Sequence, residues 1–378
     1  FPKDFIYVLP TPDPYIGAQR IFGQASEEHP NYGDCSYMLN NCYITDIKEP
    51  TATDIRKMSE RQQIEGPIYF KHKKIWRGEL PISLIEAVRC FYLANAIRDL
   101  DIKQRLTPRT MLVNISRFVG VHSYLKGKID QLVTDDYKEI KINFSIDQRR
   151  NVNNELYREL QRLYNKHYSN CGYTWEQVGS KENLLSGEKP KVIVVNGSRE
   201  SRDDTPDYKR NPSLRLIAVG GLALSRGLTL KGLSTSYFYR NTCTYDVLMQ
   251  MGRWFGYRPH YDDLFQIWTS QASVTWYREI ATAAAELKAD IKKMFEQHLT
   301  PKDFGIKVRD YCDELQITAN NKMRTAYELL MMESYYGNIC DTPYLSVKAE
   351  HNKDNWEQVK SLAERLFEEG YKFDFANI

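Results

Sequence analysis

The sequence of 378 residues lacks any apolar run that approaches the length of a membrane span, and it lacks the pattern of a signal peptide. Its seven cysteines are scattered and include no Cys-x-x-Cys pair, so we expect no structural zinc and a reducing compartment. It also lacks an excess of charge: 52 Lys and Arg stand against 49 Asp and Glu, a balance that neither supports nor excludes nucleic-acid binding. These absences predict a cytoplasmic chain without a metal site of its own and without a membrane partner.

Two patterns that nucleotide-binding proteins use are also missing. The loop Gly-x-x-x-x-Gly-Lys-Ser/Thr, whose backbone amides cradle phosphates, occurs nowhere, although Gly127-Lys128 and Gly187-Glu188-Lys189 are fragments of one. No pair of acidic residues directly follows a predicted buried strand, where it would hold magnesium. The chain therefore carries at most half of a nucleotide site.

The chain does have enough apolar material for a core, with 42% hydrophobic and 27% charged residues and a length that suits two or three compact units. Short apolar runs alternate with segments of helical spacing, which is typical of a mostly parallel sheet covered by helices. The predicted strands are Thr110–Ser116, Lys191–Asn196, Leu214–Val219, Thr235–Tyr239 and Leu264–Trp268. The predicted helices are Leu84–Leu100 (capped by Ser83), Val119–Val133, Asp147–His167, Ser273–His298 and Asn355–Glu369.

Two blocks rich in glycine and arginine follow predicted strands: Gly220–Thr229 (GGLALSRGLT) and Gln250–Arg258 (QMGRWFGYR). Glycine lets the backbone approach a ligand closely, and hydroxyl and guanidinium groups can reach phosphate oxygens. Because the carboxyl ends of parallel strands meet at one edge of a sheet, the blocks predict a polyphosphate site there. The residues alone leave open an ordinary glycine turn, with Trp254, Phe255 and Tyr257 packing the sheet and the arginines solvated.

The two blocks resemble motifs V and VI of superfamily 2 helicases, which lie in the second RecA-like lobe of the motor. A closer resemblance, over nearly the whole chain, is to the "Z-one" domain family. That family carries an endonuclease label and is found beside such motors in bacterial restriction and phage-defence systems. The further stretches that carry this resemblance are Phe1–Phe5, Pro14–Gly17, Met111–Arg117, Leu299–Gly305 and Ile317–Arg324.

The resemblance implies an α/β fold in which residues 106–270 form a RecA-like helicase C-terminal lobe, with a mostly parallel sheet and a helical insertion at about 118–170. Residues 51–105 are expected to form a helical connector, and residues 271–378 a mainly helical C-terminal extension. Residues 1–50 are expected to be an extended lead-in from a missing upstream motor lobe. Since the chain starts at Phe1 inside an extended-looking segment, we expect it to be part of a longer protein.

The resemblance also assigns roles to single residues. Arg253 is expected to be the arginine finger that stabilises charge on a transferred phosphoryl group, with Arg258 as a second phosphate or interlobe contact. Gly227, Thr229 and Gln250 are expected to contact ATP, although Thr229 stands where the family often has Asp. The residues expected to contact nucleic acid are Asn114, Ser116, Arg117, Ser225, Arg226, Lys322 and Arg324. ATP and magnesium are expected to be bound mainly by the upstream ATPase lobe of the same protein.

The function that follows is the second motor lobe of an ATP-dependent translocase on double-stranded DNA, which feeds a separate nuclease subunit. Two alternatives stay open: a non-catalytic docking or coupling module for that nuclease subunit, and a metal-dependent endonuclease. A restriction-type endonuclease needs an acid followed by Glu-x-Lys on a strand. The chain approximates this pattern at Asp135, Asp136 and Glu139-Ile140-Lys141, and again at Pro206-Asp207-Tyr208-Lys209.

Overall fold

A sheet of six parallel strands lies at the centre of the computed structural model. The structure describes residues 6–9, 11–12, 14–27, 29–42, 79–116, 118–195, 206–221, 224, 230–239, 245–300 and 349–368. The strands are β1 (Leu39–Asn41), β2 (Arg109–Asn114), β3 (Lys191–Val195), β4 (Arg215–Gly220), β5 (Leu233–Phe238) and β6 (Gln266–Thr269). Their order across the sheet is β1-β6-β5-β2-β4-β3.

Eight described helices cover both faces of this sheet. They are α1 (Ala18–Phe22), α2 (Ile82–Leu100), α3 (Val119–Asn143), α4 (Glu155–His167), α5 (Trp175–Val178), α6 (Lys181–Leu184), α7 (Tyr245–Met251) and α8 (Gln271–Glu296). A further described helix, α9 (Ala349–Glu368), follows later in the chain. Helices α2 to α6 share one apolar core with one face of the sheet. Helices α1, α7 and α8 share a second core with the opposite face.

The alternation of side chains along each strand separates the two cores. In β2, Met111 and Val113 pack with α2 to α6, whereas Leu112 between them packs on the side of α1, α7 and α8. Because both faces are covered, β2, β4 and β5 are buried along their whole length. This double burial explains why β4 appears in the sequence as a nearly continuous apolar run, whereas β5 buries three hydroxyl side chains, Ser234, Thr235 and Ser236. Burying one such Leu or Val contributes about 1.5–3 kcal/mol.

The predicted α/β class and mostly parallel sheet are confirmed, and the five predicted strands appear within two residues of their predicted ends. The predicted helix cap was wrong: Ser83 lies inside α2, and its Oγ is 2.9 Å from the Tyr237 hydroxyl. Helix α3 continues to Asn143 rather than Val133. The predicted helix Asp147–His167 is a 3₁₀ turn, Gln148–Asn153, and then α4, because Asn154 caps the second helix.

Residues 1–50 contain a helix, α1, where the sequence indicated only loops and short strands. Its Ile21 and Phe22 are fully buried in the core beneath α8, and β1 pairs with β6 at one end of the sheet. The chain divides into two compact units, Phe1–Met323 and Arg324–Ile378, and α9 is the described helix of the second unit. Among the described residues, no helix is long and apolar enough to cross a membrane.

Candidate functional site

The chain leaves two neighbouring strands in opposite directions at the middle of the sheet. From β2 it runs through α3 to α6 on one face to reach β3, and from β5 it runs through α7 on the other face to reach β6. Such a switch point leaves a crevice at the carboxyl ends of the two strands, where α/β proteins bind their ligands. The fold therefore places a candidate site at the strand ends Asn114, Gly220, Phe238 and Thr269, which we call the carboxyl edge.

Two polar side chains are buried at the last paired residues of β2 and β6. Asn114 pairs with Phe238, which pairs in turn with Thr269. Asn114 is 1% exposed and Thr269 is fully buried, yet neither Asn114 Oδ1 nor Thr269 Oγ1 finds a hydrogen-bond partner among the described residues. An unsatisfied buried acceptor costs about 1–3 kcal/mol. Such atoms at a crevice are candidates for contact with a ligand or with water.

The turn after β2 is held by hydrogen bonds to Ser116. Its hydroxyl accepts from the backbone amide of Phe118 at 3.2 Å, and its carbonyl lies 2.7 Å from Nε2 of His122, a buried residue in the first turn of α3. Arg117, the predicted DNA contact within this turn, lies outside the described residues. Sequence reasoning missed His122 because a single histidine on a helix gives no signal beyond the helical pattern.

Gly220 ends β4 beside Asn114, since the preceding residues Val113 and Val219 pair with each other. A Cβ atom on Gly220 would lie 2.3 Å from the carbonyl oxygen of Val195, so this close approach of two strands requires glycine. Leu224 follows and is buried in the core beneath α8. The predicted phosphate and DNA contacts Ser225, Arg226, Gly227 and Thr229 lie outside the described residues.

The second block begins in α7 and crosses the same face of the sheet. Gln250 is half-buried in the last turn of α7. Trp254 is fully buried and packs on Phe238, the last residue of β5, with ring centroids 5.3 Å apart. The half-buried Arg253 directly precedes this anchor. The backbone at Arg253 is therefore fixed beside the carboxyl end of β5, one strand away from Asn114.

Arg258 occupies a different place. Its guanidinium carbon lies 3.9 Å above the ring of Phe265, the residue directly before β6, so Arg258 sits at the amino end of that strand. It is 7% exposed, and its Nε and Nη1 have no hydrogen-bond partner within the described part of the chain. Burial lowers the pKa of Arg258 to about 10, and Tyr261, Tyr15 and Asp262 partly offset this effect. The structure thus separates the two predicted arginines rather than bringing them together.

Helix α8 also starts at the carboxyl edge, directly after Thr269. The Ser270 hydroxyl accepts from the backbone amide of Ser273 at 3.2 Å and caps the helix. The sequence prediction began this helix at Ser273 and missed Ser270. The pattern of a serine at the end of an apolar strand, before a helical period, could have identified it.

The endonuclease patterns lie on the wrong kind of element for metal-dependent cleavage. Glu139 and Lys141 are on helix α3, and Glu139 accepts hydrogen bonds from Asn143 and Asn154. Asp136 pairs with Arg89 at 3.1 Å, and Asp207 accepts from backbone amides of its own turn. Among the described residues, no group of three His, Cys, Asp or Glu side chains is arranged to hold a metal ion.

The structure therefore brings Asn114, Ser116 and the backbone at Arg253 to one region and places Arg258 at the other end of the strands. Lys322 and Arg324, predicted to contact DNA, lie outside the described residues.

Comparisons with known proteins give one match. The sequence profile of the Z1 domain matches residues 83–315, which is more than half of the chain and spans β2 to β6. No curated protein and no solved structure matches significantly. The matched region contains the whole crevice between β2 and β5, the Gly220 turn and the Arg253 turn. By this match the chain belongs to the Z1 domain family, the "Z-one" family that its sequence resembles.

Proposed function

We propose that this chain is the second motor lobe of an ATP-dependent, superfamily 2-like translocase on double-stranded DNA, in a bacterial restriction or phage-defence system. One observation carries the proposal: a doubly wound parallel sheet whose switch point lies between β2 and β5, with the Arg253 turn packed beside it. Fold analogy and family resemblance supply the biological setting.

In this proposal the carboxyl edge faces an upstream ATPase lobe across the nucleotide. Arg253 stabilises the charge that develops on the transferred phosphoryl group, and Gly227, Thr229 and Gln250 contact the nucleotide. Asn114, Ser116, Arg117, Ser225 and Arg226 bind the DNA backbone. The burial of Arg258 at the opposite ends of the strands favours a supporting role for it over direct phosphate contact.

The described residues of the carboxyl edge fit contacts to phosphate oxygens better than they fit a magnesium site. They offer amide and hydroxyl groups and one half-buried arginine, whereas the described part of the chain contains no cluster of carboxylates. The phosphate-binding loop is also absent from the sequence. The proposal therefore assigns ATP and magnesium mainly to the upstream lobe, and a nuclease subunit to a separate chain.

The test is Arg253→Ala in a protein that includes the upstream lobe. DNA-stimulated ATP turnover should fall at least about 100-fold, since arginine fingers contribute roughly 10³–10⁵ in rate. Arg253→Lys should not restore it, because a point charge cannot reproduce the guanidinium fork. Arg150→Ala, which changes an arginine exposed on another surface, is the matched control and should leave turnover unchanged.

Turnover that stays within about threefold of wild type in Arg253→Ala would overturn the finger assignment. The 378-residue chain by itself should show no ATP turnover, because arginines without a phosphate cradle supply charge but no binding site. Sustained turnover by that chain would contradict the half-site on which the proposal depends.

A further inference from the structure

Three loops meet at the opposite edge of the sheet, where the strands begin. Residues 101–108 precede β2, residues 206–214 precede β4, and residues 230–232 precede β5, so the three loops are neighbours in the strand order. The amide of Arg109 donates to the carbonyl of Leu214 at 2.9 Å, and the Thr110 hydroxyl donates to the carbonyl of Lys231 at 2.7 Å. We call the outer side of these three loops the amino-edge surface.

Buried arginines hold the first loop in one conformation. Arg98 donates to the side chains of Gln104 and Thr107, at 3.0 and 2.8 Å, and to the carbonyl of Pro108. Arg109 donates to the carbonyls of Gln104 and Arg105. Both arginines are 1% exposed, so these bonds are shielded from water. The loop is therefore preorganised before any partner arrives.

This rigid loop exposes two aliphatic side chains. Ile102 is 86% exposed and Leu106 is 71% exposed, and both lie on the loop that the amides of Gln104 and Arg105 close by donating to the carbonyl of Asp101. Single exposed aliphatic residues are common on proteins. Ile102 and Leu106 are different, because hydrogen bonds from the buried arginines already fix the loop that carries them. Binding of a partner therefore costs little further conformational entropy in this loop.

The charge around this pair is positive. The three loops contain five cations, Lys103, Arg105, Lys209, Arg210 and Lys231, and two carboxylates, Asp101 and Asp207, so their formal balance of three positive charges equals that of the whole chain. Both carboxylates are used within their own turns: Asp101 accepts from the amide of Lys103, and Asp207 accepts from the amides of Lys209 and Arg210. Asp207 also pairs with Arg210, with Nε 3.4 Å from Oδ2, which leaves one carboxylate, Asp101, against four exposed cations. The surface therefore carries a net positive charge.

We infer that the amino-edge surface docks an acidic amphipathic segment of another protein, with Ile102 and Leu106 in its apolar stripe and its carboxylates facing Lys103, Lys209 and Lys231. Charge complementarity selects this occupant. A second copy of the chain in a symmetric contact would set cations against cations, and DNA phosphates gain nothing from two aliphatic side chains. The inference does not depend on ATP turnover, because the carboxyl edge lies at the other ends of the strands.

The probe for this inference is a fluorescein-labelled synthetic helix of about 18 residues, long enough to be helical, with a leucine stripe flanked by glutamates. Fluorescence anisotropy with the full 378-residue chain should show binding in the micromolar range. Ile102→Ser/Leu106→Ser should weaken it at least about tenfold, and Lys103→Glu should also weaken it. Ile146→Ser, which removes an aliphatic side chain that is 76% exposed on another surface, is the matched control and should bind normally.

The inference would be overturned by no binding of the acidic helix, by equal binding to the double serine variant, or by equal binding of a helix with lysines in place of its glutamates. Displacement of the helix by a duplex DNA would instead identify a nucleic-acid surface and would also overturn it. Light scattering adds a check, since self-association that the double variant abolishes would make a second copy the occupant. The thermal midpoint of each variant should match that of wild type, because Ile102, Lys103, Leu106 and Ile146 are all exposed.

Discussion

The start of β2 and β4 and the carboxyl edge of the same sheet differ in how their buried polar groups are bonded. At the amino edge, Arg109 and Arg215 both bind the carboxylate of Asp99, which also accepts from the Ser186 hydroxyl at 2.7 Å. Arg98 and Arg109 leave only their Nε atoms without partners among the described residues, because their terminal nitrogens bond to carbonyls and side chains. At the carboxyl edge, Asn114 Oδ1 and Thr269 Oγ1 have no partner in the described structure.

This difference separates a scaffold from a site. A buried charged group whose carboxylate oxygens or terminal nitrogens are bonded within the protein fixes the backbone around it. A buried acceptor without a partner costs stability and is tolerated where another molecule can satisfy it. The Asp99 cluster therefore stabilises the loops that it holds, whereas the carboxyl edge keeps buried acceptors that a ligand can satisfy.

The largest effect is expected from Asp99→Asn at the amino edge. The substitution removes the carboxylate that faces two arginines with side chains 1% and 4% exposed. Breaking a buried ion pair from one side costs about 3–5 kcal/mol because the remaining charge is uncompensated. Chemical denaturation should show this loss in the free energy of unfolding. A loss below about 1 kcal/mol would mean that the cluster does not fix the amino edge.

Arg258→Met should act in the opposite direction. Arg258 is buried with two unpaired nitrogens, and methionine can occupy similar volume against Phe265 without a charge. Replacing a buried charge by an apolar side chain is often neutral or stabilising by about 1–4 kcal/mol. We expect the free energy of unfolding to rise by about 1 kcal/mol. A loss of several kcal/mol would show that Arg258 has partners comparable to those of Arg109.

Lowering the pH should destabilise the protein through His167. His167 packs on Trp268 of β6, and burial, with Lys166 and Arg162 nearby, lowers the pKa of His167 to about 4. Because the folded protein binds this proton more weakly than the unfolded chain does, stability falls as pH drops from about 6.5 towards about 4. The side chain is partly exposed, so the expected loss is on the order of 1 kcal/mol.

The pH measurement needs one control. His167→Gln should remove this part of the pH dependence, whereas His29→Gln, at an exposed position, should not. Burial lowers the pKa of Arg98 and of Arg109 to about 10, so both remain charged throughout this range and contribute no slope. An unchanged slope in His167→Gln would place the acid-sensitive group elsewhere.

The smallest effect on stability is expected from Asn114→Ala. The substitution removes an acceptor that has no partner in the described structure, which offsets the small cavity left behind. The free energy of unfolding should change by less than about 1 kcal/mol, whereas DNA-stimulated ATP turnover with the upstream lobe present should fall. A loss of stability as large as that of Asp99→Asn would show that the carboxyl edge is also a scaffold.

Local patterns in the sequence predicted the strands well, but they predicted long-range side-chain contacts poorly. Five strands were found because burial favours apolar and β-branched residues along most of each, although β5 also buries Ser234, Thr235 and Ser236. Ser83 was misassigned because a serine before an apolar helix reads as a cap, whereas here its hydroxyl meets Tyr237 from a strand 154 positions away. Nothing near Arg258 in the sequence indicates that it is buried against Phe265. Helix ends and burial depend on such distant contacts, which a local pattern does not contain.

The sequence by itself determined the α/β class, five of the six described strands and the membership of the Z1 domain family, because hydrophobic spacing and motif order are local properties of the chain. It also determined that a phosphate-binding loop is absent. Only the tertiary structure decided the strand order, and with it the crevice between β2 and β5 and the separation of Arg253 from Arg258. It alone brought Asp99, near the end of α2, to Arg109 and Arg215, which begin two neighbouring strands that are far apart in sequence. Because the three side chains are buried together, the charge of each depends on the other two.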